Sequence, residues 1–208
     1  MEDLALIRSA FSSSELFRGV EPSAVRSGHI ATFKRGDVVS ETQNGIDCVG
    51  VILTGSLSVE ANDRSSVSVM KRGGEFGICN IFVHEKMPTR LWARVQSQVL
   101  FIPKDEFARL LGADSALMYR YVKLCNEKML YLAERLRLIS ISDSTERLWY
   151  YLTSEAKDGT VKLKVSKDEL ARQLGVSRSS LFRGLAALES DGKITVGANQ
   201  IYIRERKD

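Results

Sequence analysis

The chain has 208 residues, 44% of them hydrophobic and 27% charged, with 15 Gly and 3 Pro. This composition suits a folded globular protein and excludes disordered, collagen-like and linker-rich chains; at about 150 residues per domain it predicts one large domain or two small ones. Thirty Lys/Arg against 26 Asp/Glu leave a net charge of +4, which permits nucleic-acid binding without demanding it.

No run approaches the roughly 18 apolar residues that span a bilayer. The start, Met1-Glu2-Asp3-Leu4, lacks the basic region of a signal peptide. A cytoplasmic protein with no membrane contact is expected. The charge is unevenly placed: Thr160 to Lys207 carries ten Lys/Arg and five Asp/Glu, net +5, so the positive field gathers near the C-terminus. Cys48, Cys79 and Cys125 are scattered without a CxxC pair, and His29 and His84 are isolated. Neither a metal site nor a disulfide framework is expected.

In chain order, Ser12 to Phe17 reads as a short amphipathic helix. Residues 20–103 then read as strands, with short apolar runs at 30–33, 38–39, 49–53, 57–60, 67–69, 91–95 and 99–102. Turn signals separate them: Lys34-Arg35-Gly36-Asp37, Asn44-Gly45, a polar tip at 61–66 and Gly73-Gly74. Many short strands at such spacing suggest a small β-barrel or roll.

A long helix follows from about Asp114 to Ile139, with Asp114 or Ser115 as its cap. Met118, Val122, Cys125, Met129, Leu132, Leu136 and Ile139 alternate spacings of four and three, the seam of a coiled coil. That pattern predicts a homodimer. Leu117, Tyr121, Leu124, Tyr131 and Leu138 form a second apolar row, suited to covering the β-roll. Cys125, on the seam, reads as a small apolar residue.

The last region, from about Ser142, starts a helix at Asp143-Ser144-Thr145-Glu146 and alternates as a strand at 161–165. Ser166-Lys167-Asp168-Glu169 reads as a capping box opening a helix that Gly175 ends. Ser177 caps a second helix, Arg178 to Glu189. Two helices joined by a short glycine turn form a helix-turn-helix. Leu170, Ala171, Leu174, Val176, Leu181, Leu185 and Leu188 pack the pair. Ser177, Arg178, Ser179, Ser180 and Arg183 are left off the packed face, at the end of the helix that enters a major groove. Arginine can bond both acceptors of a guanine edge, and hydroxyls or backbone N–H groups at a helix start can hold phosphate. Ser166 at the first cap has the same chemistry. Ile194-Thr195-Val196 and Gln200-Ile201-Tyr202-Ile203 read as a hairpin wing, with Lys193, Arg204 and Arg206 placed for the DNA backbone. The plainer alternative is a helical pair used only for packing.

These stretches, with Lys34-Arg35-Gly36-Asp37, Leu53-Thr54-Gly55-Ser56-Leu57, Gly74-Glu75-Phe76-Gly77, Ile102-Pro103-Lys104-Asp105-Glu106-Phe107 and Leu174-Gly175-Val176-Ser177-Arg178, resemble the cyclic-AMP receptor protein / fumarate–nitrate regulator (Crp/Fnr) superfamily of bacterial transcription factors. The resemblance covers nearly the whole chain. It implies an α+β fold: an N-terminal cyclic-nucleotide-binding-type β-roll as sensor (1–112), a long dimerisation helix (113–140) and a C-terminal winged helix-turn-helix (141–208). It implies a homodimer on double-stranded DNA with inverted-repeat half-sites, with RNA polymerase as a candidate partner.

The effector is where the sequence departs from the family. In nucleotide-binding members a Gly-Glu-x-Gly turn and a downstream Arg-Ser or Arg-Thr pair clamp ribose and phosphate. Gly74, Glu75, Phe76 and Gly77 match the turn, but the clamp falls on Met87-Pro88; a register two further on offers Thr89-Arg90 in the wrong order. The helix pair that contacts the purine falls on Leu132-Ala133. A phosphate without its arginine loses a bidentate charged contact. Cyclic AMP is therefore not expected; another small-molecule effector, anionic if Arg90 and Arg94 face it, stays open. The cysteine cluster of an iron–sulfur sensor is absent, so no such cluster is expected. Haem would rest on His84 alone, which reads more plainly as a solvated loop histidine. Ser179 replaces the family's cytosine-reading glutamate, so a different half-site is expected.

Two functions are compatible with these features. One is a DNA-binding transcription regulator. The other is a ligand-binding regulatory module that acts through protein–protein contact. No HExxH, GxSxG or GxxxxGK[ST] motif is present, and no enzyme activity is expected.

Overall fold

A computed structural model of the chain describes residues 2–61, 66–83, 85, 89–163 and 165–204. It divides into two compact units, Met1–Glu127 and Lys128–Asp208, with the boundary inside one long helix.

The first unit opens with α1 (Glu2–Ser13). The helix lies upstream of the expected Ser12–Phe17 and stops where that segment begins. The cause is local. The Ser12 and Ser13 hydroxyls turn back onto the carbonyls of Arg8 and Ser9. Ser14 Oγ accepts from the N–H groups of Leu16 and Phe17, at 3.1 and 2.9 Å. Serines that compete for backbone groups close a helix rather than extend it. A 3-10 turn, Pro22–Ala24, follows.

The seven expected runs, with two further two-residue strands, β3 and β7, that the sequence reading did not anticipate, form two antiparallel sheets: β1 (His29–Phe33), β2 (Val38–Val39), β3 (Thr42–Gln43), β4 (Ile46–Thr54), β5 (Ser56–Ala61), β6 (Ser66–Lys71), β7 (Glu75–Phe76), β8 (Thr89–Ala93) and β9 (Ser97–Pro103). One sheet runs β1-β9-β4-β3 with β7 added to β4; the other runs β2-β8-β5-β6. The run Cys48 to Leu53 is buried throughout because β4 is covered on both faces. Val49, Val51 and Leu53 pack with α1 and the helices that follow the roll. Cys48 and Ile52 join Leu57, Leu91, Val99 and Phe101 in a core drawn from both sheets. Gly50 is required here: a Cβ would stand 2.0 Å from the Phe76 ring.

Helix α2 (Lys104–Ala113) and helix α3 (Ser115–Ser140) follow. Asp114 Oδ1 accepts from Ala116 N and Leu117 N, so Asp114 is the cap. Leu117 and Tyr121 are buried in the core shared with α1 and α2, and Met118, Leu124 and Cys125 pack against it. The second apolar row does not continue over the roll. Tyr131 is exposed, and Leu138 is buried in the core of the other unit. Leu117 and Tyr121 belong to one compact unit and Leu138 to the other, so the row is divided between two cores.

In the second unit, Asp143 caps α4 (Ser144–Glu155) by accepting from Thr145 N and Glu146 N. Then come β10 (Thr160–Lys162), α5 (Lys167–Gln173), α6 (Arg178–Ser190), β11 (Ile194–Val196) and β12 (Gln200–Ile203). β12 lies between β10 and β11, all antiparallel. The leucines at 148, 152, 170, 174, 181, 185 and 188 form its core with Val161, Ile194 and Ile201. Each fully buried leucine contributes about 2 kcal/mol of transfer free energy.

Candidate nucleic-acid interface

The interface begins with two helix caps. Ser166 Oγ accepts from Glu169 N at 3.2 Å and starts α5. The Glu169 carboxylate does not close the expected box; it pairs with Arg172 one turn on. Gly175 ends α5 at φ +63°, a conformation with little cost only for glycine. Val176 N donates to Ala171 O, and Ser177 Oγ then caps α6 by accepting from Ser180 N at 3.0 Å. Leu170, Leu174, Leu181 and Leu185 hold the pair together, as their spacing requires.

Packing leaves the first turn of α6 free. Ser177, Arg178, Ser179 and Arg183 are exposed and Ser180 is half-buried. Ser177 Oγ lies 2.9 Å from the hydroxyls of both Ser179 and Ser180, and Arg183 Nη2 donates to Ser180 Oγ at 3.2 Å. Three hydroxyls and two guanidinium groups thus gather at the positive end of a helix dipole, where an anion is favoured.

Ser166 is brought to the same place. A hollow of about 380 Å³ is lined by Ser166, Lys167, Asp168, Arg178, Phe182 and Asn199, from the starts of α5 and α6 and the β11–β12 turn. Asp168 and Phe182 are functional candidates that the sequence reading missed. Asp168 holds Arg178 by two contacts of 3.1 Å. Phe182, one turn beyond Arg178 and 40% exposed, has the charges of Lys167 and Arg178 each 5.6 Å from its ring centroid. The four-residue spacing of Arg178 and Phe182 was the available signal.

Lys193 stands at the base of the wing, 3.6 Å from Asp191, with its ammonium 5.8 Å from the Trp149 ring. Arg204 donates to Thr195 Oγ1 across the hairpin. Arg206 lies outside the described residues. Arg147, which the sequence reading also missed, braces the turn from behind. It donates to Leu174 O and Gly175 O at 2.9 and 3.3 Å and to Ile141 O through two further nitrogens. It satisfies the free carbonyls at the end of α5.

The residues of the Gly-Glu-Phe-Gly turn have other neighbours. Glu75 Oε1 accepts from Ser14 Oγ and Leu16 N, both at 3.3 Å, at the end of α1. Phe76 is buried edge-on to Phe101, and Gly77 turns at φ +72° with no room for a Cβ beside Cys48 O. Thr89 pairs through its backbone with Ala61. Arg90 lines a separate hollow with Glu41, Asn80 and Lys104. Leu132 belongs to the second unit and is exposed. His84 and Met87-Pro88 lie outside the described residues. Among the described residues no group of three His, Cys, Asp or Glu could hold a metal ion. No helix among them is long and apolar enough to cross a membrane.

Residues 30–114 match the cyclic nucleotide-binding domain family, and residues 146–208 match the Crp-like helix-turn-helix domain family. The chain belongs to the Crp/Fnr superfamily. The helix-turn-helix makes this Crp/Fnr member a DNA-binding transcription regulator, and the superfamily is one of regulators rather than enzymes. The same fold recurs in solved structures. The catabolite activator protein of Thermus thermophilus is 18% identical, with 92% of this chain and 94% of that one covered and a TM-score of 0.55. The c-di-GMP-responsive global regulator CLP of Xanthomonas campestris is 19% identical over 86% and 94%, TM-score 0.56. A CooA mutant from Carboxydothermus hydrogenoformans is 13% identical over 89% and 88%, TM-score 0.61. No curated protein matches the sequence significantly.

Proposed function

We propose that this regulator acts as a homodimer whose α3 helices pair along Met118, Val122, Cys125, Met129, Leu132, Leu136 and Ile139. It reads inverted-repeat half-sites and responds to a signal, other than cyclic AMP, sensed in the β-roll. In this reading residues 1–112 sense, 113–140 pair and 141–208 bind DNA through Ser166, Ser177, Arg178, Ser179, Ser180, Arg183 and Lys193. The signal shifts the population between two arrangements of the dimer helices and winged helices.

One observation carries the dimer. Val122, Met129, Leu132, Leu136 and Ile139 are 46–62% exposed along a single heptad seam. A contiguous apolar stripe of this kind marks an interaction surface, and a heptad seam selects another helix of the same kind. Two points argue against cyclic AMP: a Glu75 oxygen already accepts from Ser14 and Leu16, and the position that the family resemblance assigns to the purine is the apolar Leu132. These residues do not fit a cyclic nucleotide.

The test is selection from a random duplex DNA pool with the purified protein, beside Arg183→Ala. An enriched inverted repeat, with half-sites about 10 base pairs apart centre to centre and lost in the variant, is the expected result. Enrichment of a single, unpaired half-site would overturn the dimeric reading.

A further inference from the structure

Helix α6 exposes one large apolar side chain. Phe182 is 40% exposed, whereas Leu181, Leu185 and Leu188 of the same helix are at most 4% exposed. The core those leucines build does not include it. Its ring lines the hollow between the starts of α5 and α6 and the β11–β12 turn.

Helical geometry fixes what the ring faces. Successive residues of an α-helix are turned about 100° apart. Measured around α6 from the buried Leu181, Arg178 stands at about 60°, Phe182 at about 100°, Ser179 at about 160° and Arg183 at about 200°. Phe182 therefore lies between Arg178 and Arg183, both around the helix axis and along it. A surface that meets both guanidinium groups passes over the ring.

In a major groove that surface is made of base edges. They present hydrogen-bond donors and acceptors and one apolar group, the C5 methyl of thymine. A phenyl ring set against a polar edge removes its water and returns no hydrogen bond, which is unfavourable. Set against the methyl, it buries apolar surface on both sides. The charges of Lys167 and Arg178 stand 5.6 Å from the ring centroid, so the groups that attract phosphate sit beside the apolar contact.

We infer that Phe182 reads a base: its ring packs on the C5 methyl of a thymine and selects a T·A pair in the half-site. Four residues of helix rise about 6 Å and base pairs are spaced about 3.4 Å, so this thymine falls within about two base pairs of the pair that Arg178 contacts. The inference rests on the DNA-binding reading of α6 and adds a specificity determinant to it. A single half-site is enough, so it does not need the dimer.

Removing one methyl from the DNA tests it. The duplex is the site that the full chain selects from a random pool. Each of its thymines is replaced in turn by deoxyuridine, which keeps the hydrogen-bonding groups and loses the methyl. Fluorescence anisotropy should show one position per half-site where the replacement weakens wild-type binding about fourfold, the effect of burying one carbon. In Phe182→Ala that penalty should vanish and selection at that pair should relax, while the other positions of the site keep their preferences. The ring lies outside the core, so circular dichroism should show the variant folded with its melting temperature preserved. Phe182→Leu, apolar but without the ring, should keep part of the penalty. Wild-type affinity unchanged by deoxyuridine at every thymine would overturn the inference, as would a penalty of equal size in Phe182→Ala; the ring would then serve only to hold Lys167 and Arg178. A pool from which no site is enriched would overturn sequence reading by α6 as a whole, so the two failures are distinguishable.

Discussion

Arg178, the first residue of α6, is held by Asp168 of α5 through Nε and Nη1, each 3.1 Å from a different carboxylate oxygen. Both side chains are more than half exposed. An exposed pair of this kind contributes only about 0.5 kcal/mol, so a phosphate or a guanine edge can displace the carboxylate. Asp168 therefore keeps the arginine ordered in the free protein and lays a negative charge beside the expected path of the DNA. Asp168→Ala should tighten non-specific duplex binding several-fold, steepen its salt dependence and leave thermal stability nearly unchanged. Fluorescence anisotropy against random duplex at several salt concentrations measures it. Weaker binding would mean that ordering Arg178 matters more than removing the charge.

Leu132→Lys places a charge from each protomer in the proposed seam. Leu132 is exposed in the single chain, so the substitution leaves both cores intact. Sedimentation should show a folded monomer with the melting temperature of its cores preserved, and affinity for an inverted repeat should fall by at least about tenfold as bivalency is lost. An unchanged sedimentation mass would remove α3 from the interface.

Glu106 supplies an acid-sensitive link. Its carboxylate accepts from Arg109 Nε and Nη2 at 2.8 and 2.7 Å and from Arg26 N at 2.7 Å, while Arg109 also donates to Ala24 O. The hydrogen bonds from Arg109, outweighing burial, hold the Glu106 carboxyl down at about 2. Unfolded, the same group titrates near ~4.3. The folded state therefore binds the proton more weakly, and the stabilisation is full above the unfolded value and disappears as pH falls through about 2. Glu106→Gln should lower the melting temperature at pH 7 and flatten its decline between about pH 5 and pH 2. Parallel melting curves for both proteins across that range would show that the cluster contributes no pH dependence.

Gly175→Ala tests the corner of the helix-turn-helix. The new methyl meets only the Arg147 guanidinium, 3.5 Å away, so the cost is that of φ +63° for an L residue, about 1–2 kcal/mol. Chemical denaturation should show that loss, with DNA specificity unchanged in the remaining folded protein. A neutral effect would mean the turn relaxes out of the left-handed region.

Much of this was legible in the sequence because its signals are local. Strands β1, β2, β4, β5, β6, β8 and β9 follow short apolar runs broken by turn signals, whereas the two-residue β3 and β7 carry no such run, and the caps Asp114, Asp143, Ser166 and Ser177 stand where the short polar side chains preceded each apolar period. The recognition serines and arginines were legible for the same reason: once the leucines of α5 and α6 are assigned to the core, the helix period leaves Ser177, Arg178, Ser179 and Arg183 outside. Tertiary structure alone decided relationships between distant groups. Arg147 reaches backbone carbonyls 27 and 28 residues away, which carry no side-chain signature. Glu75, which the family resemblance assigns to a ribose, has its oxygen against Ser14 and Leu16, some 60 positions earlier. Periodicity and capping act over one or two turns of chain and can be read in order; partners brought together by folding are set by packing, which the linear order does not encode.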